Sequence, residues 1–378
     1  MERFALSRMK EWKENENRKP LIIRGARQVG KTWIMKTFGQ QYFEKTAYVN
    51  FDNNARMKQV FEGDLDIERL VLAISAETGV SIEAENTLII FDEVQEVPKA
   101  LTSLKYFHEN APQYAIVAAG SLLGVALHQG TSFPVGKVDF LDLYPLNFRE
   151  FLCAMGEKQF VSMLDSCDTQ MVTVFKTKYI ERLREYYFVG GMPEVVKDFS
   201  EKKDYNRVRA IQKNLINYYQ QDFSKHAEIK LVPRLNLVWN SIPMQLAKEN
   251  KKYIYGQVRE GSRAKDFELA IQWLLDCGLI HKVQRIQKPD LPLKAYIDFD
   301  AFKLFLVDIG LLIAMTDLDA KVIIEGNKIF TEFKGSLTEQ YILQQLISDV
   351  GVIPYYYSTQ NSKGEIDFLV QGKTSVIP

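Results

Sequence analysis

The chain has 378 residues, 48 Lys and Arg against 48 Asp and Glu, 46% hydrophobic residues and 25% charged ones. These are the proportions of an ordinary globular protein long enough to bury its own core, so collagen-like, disordered and disulfide-stapled chains are excluded. A net charge of zero argues against wholesale binding to nucleic acid and leaves local patches open.

In chain order, residues 1–20 read as an amphipathic helix with Phe4, Leu6, Met9 and Trp12 on one stripe, closed by Arg18-Lys19-Pro20. Apolar runs of strand length follow at 21–23, 47–51, 88–91, 115–119 and 138–143, separated by helical stretches. Continuous Val, Ile and Leu runs between helices are the pattern of a parallel sheet covered on both faces. Residues 20–150 are therefore expected to form a doubly wound α/β domain. From 151 to about 233 the pattern turns helical, residues 235–300 read as helices followed by a hairpin, and KLFLVDIGLL leads into a last α/β piece. The longest apolar stretch, from Ala115 to Leu127, is interrupted by Gly120, Ser121 and Gly124, short of the roughly 18 residues of a membrane span. The N-terminus lacks the pattern of a signal or transit peptide. Cys153, Cys167 and Cys277 form no CxxC pair, which suits a reducing, cytoplasmic setting. His108, His128, His226 and His281 show no metal-ligand spacing.

Gly25-Ala26-Arg27-Gln28-Val29-Gly30-Lys31-Thr32 fits GxxxxGK[ST] at every fixed position. The chemistry asks for these residue types. The loop must turn tightly so that backbone N–H groups converge on the phosphates of ATP, and Gly25 and Gly30 permit those angles. Lys31 supplies a charge for the β- and γ-phosphates and Thr32 a hydroxyl for Mg2+. The helix that follows adds its positive N-terminal end. A Gly-Lys turn in a surface loop is the plain alternative. In Thr87-Leu88-Ile89-Ile90-Phe91-Asp92-Glu93, Asp92 ends a buried strand on the side where open α/β sheets place ligands. Asp92 is then expected to hold Mg2+ through water and Glu93 to polarise an attacking water. A simple N-cap for the helix after Pro98 would use the same carboxylates. Arg27 and Arg149 are candidate charge stabilisers, although most arginines are solvated surface residues.

The strand at 47–51, lying between the two motifs in sequence, is similar to the arrangement of the additional-strand class of P-loop ATPases. That resemblance implies a catalytic Glu at 93 and puts Ser121 where the class often has a sensor of the γ-phosphate; a turn residue is the alternative for Ser121. More specifically, GARQVGKT, LIIFDEVQ, AAGSLLG, LYPLNFREF, FVGGMPEVV, YYQQDFS, KLFLVDIGLL and EIDFLV, in that order, resemble a prokaryotic AAA-type P-loop ATPase family with a C-terminal winged-helix and restriction-endonuclease-like region. The resemblance implies an AAA-like core at 1–150, a helical lid at 151–234, a winged-helix segment at 235–315 and an incomplete nuclease-like module at 316–378.

Residues 246–294 are the expected DNA-contacting stretch. Lys248, Lys251, Lys252, Arg259, Arg263 and Lys265 face only Glu249 and Glu260, and Lys282, Arg285, Lys288 and Lys294 face only Asp290. Between them Phe267, Ala270, Ile271, Leu274 and Leu275 mark a helix, which Gly278 is placed to cap. A helix followed by a basic hairpin is how a winged helix meets DNA phosphates; a protein-packing module with a solvated face is the alternative. Gly190-Gly191-Met192-Pro193 reads as a turn between lid helices. The tail resembles the front half of a PD-(D/E)xK nuclease, with Glu339 on a helix at 336–347 and Asp367 in Glu365-Ile366-Asp367-Phe368. The sequence ends at Val376-Ile377-Pro378, where the (E/Q)xK strand would begin, so this chain is not expected to cut DNA. The reading is a Mg2+-dependent, ATP-hydrolysing enzyme whose nucleotide state repositions the winged-helix and nuclease-like tail. Its rivals are a DNA-binding or DNA-cleaving effector regulated by ATP and, less favoured by Glu93, a small-molecule kinase. Oligomeric state is not legible.

Overall fold

The computed structural model describes residues 2–120, 134–248, 251–326, 328–359 and 364–378, with the side chains of 328–333 excepted. Ser121 lies outside the described residues. The chain forms two compact units, Arg3–Tyr144 and Pro145–Pro378, the latter together with the first two residues.

The first unit opens with helix α1 (Ala5–Glu14), whose Trp12 is buried and donates its indole N–H to the Lys19 carbonyl at 2.7 Å. Strands β1 (Leu21–Arg24), β2 (Lys45–Asn50), β3 (Thr87–Asp92), β4 (Ala115–Ala119) and β5 (Asp139–Asp142) form one parallel sheet in the order β2-β3-β4-β1-β5. Every residue of β3 and β4 is buried, as the unbroken apolar runs require of central parallel strands. Helices α2 (Lys31–Tyr42), α3 (Ala55–Glu62), α4 (Ile67–Thr78) and α5 (Pro98–Asn110) make the crossovers. Helix α4 shows how local sequence fixes the ends. The Asp66 carboxylate accepts the Arg69 N–H at 2.9 Å, and Gly79 closes the helix at φ 69°, each satisfying backbone groups a helix end leaves open. Phe51, Phe61 and Phe91 meet edge to face at 5.3–5.7 Å between the sheet and α3.

The second unit begins with helices: Phe148–Ala154 (α6), Lys158–Asp165 (α7), Thr169–Val174 (α8), Lys176–Val189 (α9), Pro193–Lys202 (α10), Tyr205–His226 (α11) and Val232–Leu246 (α12). Tyr255–Val258 (α13) and Ala264–Asp276 (α14) precede the antiparallel pair β6 (Ile280–Ile286) and β7 (Ile297–Leu306). The apolar face read from the sequence is inside: Phe267, Ala270, Ile271 and Leu274 are buried, and Leu275 is half-buried. Then come α15 (Ile309–Met315), α16 (Ala320–Glu325), α17 (Lys328–Gln345), β8 (Tyr355–Ser358), β9 (Glu365–Gln371) and β10 (Val376–Ile377).

Strand β8 pairs in parallel with β6, so hairpin and tail share one five-stranded sheet, β10-β9-β8-β6-β7. Residues 145–378 cluster as one compact unit with the first two residues. Among the described residues no helix is long and apolar enough to cross a membrane.

Two motifs far apart in sequence hold this unit together. Asp308 is buried at the start of α15 and accepts N–H groups from Leu311 at 3.1 Å and Gly191 at 2.6 Å, and the Gln344 amide at 3.2 Å. Gly190 sits at φ 75°, and a Cβ there would come within 2.2 Å of the Asp308 carboxylate. On Gly191 it would come within 2.1 Å of the Leu146 carbonyl. Gly190 thus makes room for the carboxylate and Gly191 for the Leu146 backbone, which explains why the turn tolerates no side chain. On α17, Gln340 exchanges two hydrogen bonds with the Leu306 backbone (3.0 and 2.7 Å), and Gln344 accepts the Ile309 N–H at 3.0 Å.

Burial pushes the Asp308 carboxyl up to about 6, against the N–H groups that favour its charge. A folded-state value above that of an unfolded Asp contributes stability that is complete below about pH 4 and lost as pH rises through about 6. The whole effect is about 3 kcal/mol. Asp308→Asn removes this titration, so urea titrations should show the gap between wild type and variant narrowing by that amount from pH 4 to pH 7. A constant gap would mean that the group does not titrate there.

Candidate functional site

The phosphate-loop motif occupies the turn from β1 into α2. Gly25 has φ 144°, and a Cβ on it would stand 2.1 Å from the Leu143 carbonyl. Gln28 and Gly30 are left-handed at φ 66° and 95°. Ala26 and Val29 are buried and pin the loop, while Arg27 and Gln28 stand exposed at its tip. The Lys31 ammonium turns back into the loop and donates to the carbonyls of Gly25 (2.9 Å) and Ala26 (2.8 Å). Arg3, buried although close to the N-terminus, donates to the Val29 carbonyl at 3.1 Å and to the Tyr144 carbonyl at 2.6 Å. Arg24 forms a two-pronged ion pair with Asp142 at 2.8 and 2.9 Å across β1 and β5.

Asp92 ends β3 and is buried. Its Oδ2 accepts the Thr32 hydroxyl at 2.7 Å and the Tyr48 hydroxyl at 2.9 Å, and its Oδ1 accepts the Glu93 N–H at 3.1 Å. The fold therefore brings Thr32 and Asp92 together across two strand positions. Glu93 adopts a left-handed conformation, φ 50° and ψ 45°, a strained state for a residue with a side chain and one that clusters at functional sites. Gln95 donates to Glu93 Oε2 at 2.7 Å. Tyr48 and Gln95 were missed by the sequence reading. Gln95 had a signal, as the last residue of LIIFDEVQ, whereas Tyr48 is found only from the register that pairs it with Ile90 in β3.

Arg149 belongs to the second unit, where it forms ion pairs with Asp165 and, at 3.0 Å, Asp349. It is built into local structure. Of the basic residues at 246–294, several are likewise spent internally. Lys251 pairs with Glu339 and Arg285 with Asp298, whereas Lys288 meets Asp290 at 2.6 Å on the surface. Lys282 lies 4.2 Å from the Phe302 ring centre, and burial lowers its pKa. Lys248, Arg259, Arg263, Lys265 and Lys294 are exposed. The outward face of α14 also carries Glu268 and an exposed Leu269.

The carboxylates of the tail meet a lysine that the sequence reading overlooked. Lys303, 1% exposed on β7, places its ammonium 3.2 Å from Glu339, 2.6 Å from Glu365 and 3.6 Å from Asp367. Burial disfavours its charge, but the three carboxylates outweigh burial and raise its pKa. A charged residue inside the apolar run AFKLFLV was the available clue. Glu339 and Asp367 thus both approach one internal cation.

Residues 17–152 match the family described as an AAA domain. Residues 180–322 and 334–378 match two domains of unknown function, DUF8612 and DUF4143. Curated proteins give no match. Among solved structures, the chain is similar to the Walker-type ATPase PABY2304 of Pyrococcus abyssi, at 15% identity and a TM-score of 0.51, over 83% of this chain and 95% of that one. The Aeropyrum pernix ORC1 protein in complex with DNA is 12% identical at a TM-score of 0.29, covering 82% and 91%. Cdc6p from Pyrobaculum aerophilum is 9% identical at 0.29, covering 89% and 94%. These last two similarities are too loose to bear on the fold.

Lys303→Met would leave the buried Glu339 short of a counter-charge and should cost about 3 kcal/mol or more, the usual penalty for breaking a buried pair. Adding Glu339→Gln should cost less than the sum of the single changes in urea denaturation. Strict additivity would show that the two groups do not interact.

Proposed function

We propose that the AAA-type P-loop ATPase domain at residues 17–152 binds ATP with Mg2+ and hydrolyses it to ADP and phosphate. The observation that carries this reading is the meeting of the two motifs, with the Thr32 hydroxyl 2.7 Å from the Asp92 carboxylate. A hydroxyl and a carboxylate are the hard oxygen donors that suit Mg2+, with waters completing its shell. When bound, the ion supplies charge neutralisation on the β- and γ-phosphates. The loop backbone from Gly25 to Gly30 and the first turn of α2 receive the phosphate oxygens. Lys31 exchanges two neutral carbonyls for charged oxygens, a stronger set of acceptors. Asp92 orients the metal's water shell. Glu93, steadied by Gln95, takes the proton of the attacking water. The nucleotide state then governs how the second unit is presented to its partner.

Calorimetry with ATP and Mg2+ should show binding by the wild type and none by Lys31→Ala. Glu93→Gln should bind ATP and hydrolyse it about 100-fold more slowly or worse, the usual loss with a general base. Wild-type protein without Mg2+-ATP binding would sink the reading.

A DNA-binding role for the winged-helix-like segment is supported by one cluster, the exposed Arg259, Arg263 and Lys265 at the entry to α14. It is a narrower patch than the whole stretch 246–294, because Lys251 and Arg285 serve internal ion pairs. Binding through it should weaken with salt at a log-log slope of about −0.9 per phosphate contacted. Reversing the three residues to Glu should abolish it in fluorescence anisotropy. Unchanged affinity would leave α14, with Glu268 and Leu269 outward, as a protein-packing surface.

A further inference from the structure

A carboxylate offers about four lone-pair positions, and Asp92 uses three of them on the protein. Oδ2 accepts two hydroxyls, from Thr32 at 2.7 Å and Tyr48 at 2.9 Å, and Oδ1 accepts the Glu93 N–H at 3.1 Å. Among the described residues, one direction on Oδ1 remains open. Tyr48 comes from β2, on the opposite side of β3 from β4, so it fixes Asp92 from the side away from the phosphate loop. The tyrosine is itself held: the Lys36 ammonium, one turn after Thr32 on α2, lies 3.8 Å from the centre of its ring.

We infer that Tyr48 is a positioning residue for the hydrated Mg2+ of the nucleotide, acting through Asp92. The inference rests on the ATPase reading above. With Thr32 and Tyr48 both on Oδ2, the carboxylate cannot rotate, and the open lone pair of Oδ1 keeps one direction for a metal-bound water. Without the Tyr48 hydroxyl, Oδ2 regains a lone pair and Asp92 can turn, so the carboxylate must be ordered again each time the ion binds. Partners that orient metal-holding groups typically contribute ten- to a hundredfold in metal affinity.

Tyr48→Phe removes the hydroxyl and keeps the ring beneath Lys36. The test is a Mg2+ titration of ATP binding by calorimetry on the full chain, beside ATP binding in EDTA. The expected result is a Mg2+ midpoint raised about tenfold, with ATP affinity in EDTA unchanged. A merely structural role would lower affinity in both conditions or in neither. Binding by both proteins with equal Mg2+ midpoints would overturn the inference and leave the ATPase reading standing. Loss of affinity in EDTA as well would also overturn it, by showing that the hydroxyl supports the loop itself. No ATP binding by the wild type in any condition would overturn both.

Discussion

Strand β4 separates the strand that leads into the phosphate loop from the strand that ends in Asp92, and the way the two motifs meet depends on that spacing. Neighbouring strands stand about 4.8 Å apart, so β1 and β3 are about 10 Å apart at their carboxyl ends. The gap is too wide for direct contact between strands. It is closed from one side by the loop and the first turn of α2, which extend Thr32 to Asp92 at 2.7 Å. The spacing is held by strands that bury every residue and by the crossover helices, so the geometry of the site follows from the packing of the sheet.

The second unit rests on polar groups taken far from water. Asp308, Gln340 and Gln344 are buried, and each is spent on backbone groups around the turn from β7 into α15. An unpaired polar group in such a place would be costly, whereas a satisfied set specifies a single arrangement. This is the physical content of the short sequence elements FVGGMPEVV and KLFLVDIGLL. Gly190 leaves room for the carboxylate and Gly191 for the Leu146 backbone, and neither element makes sense without the other.

Local signals made most of the first unit legible. GARQVGKT, the apolar runs and the Asp-Glu pair are each short, and their meaning is carried by neighbouring residues. All five strands stand within two residues of their expected bounds. The spatial order was less accessible: the strand between the two motifs in sequence, β2, lies at the sheet edge, and the strand between them in space is β4. What failed was charge reading. Lys251 and Arg285 look like surface cations when counted along the chain, yet each finds a carboxylate from another element. Such pairs join residues up to 88 positions apart, and no periodicity or local composition reports them. Tyr48 was missed for the same reason, since its partner lies on the neighbouring strand.

The shared sheet of the second unit has a practical side. Because β8 is the partner of β6 as well as of β9, dividing the chain near residue 315 would strip one side of β6 of its neighbour. The exposed backbone would be a template for pairing with other molecules. The removal would also take away Glu339, Glu365 and Asp367 and strand the buried ammonium of Lys303. A cut after Tyr144 follows the division between compact units and severs neither sheet. Anyone dissecting this chain into working parts should treat the hairpin and the tail as a single inheritance.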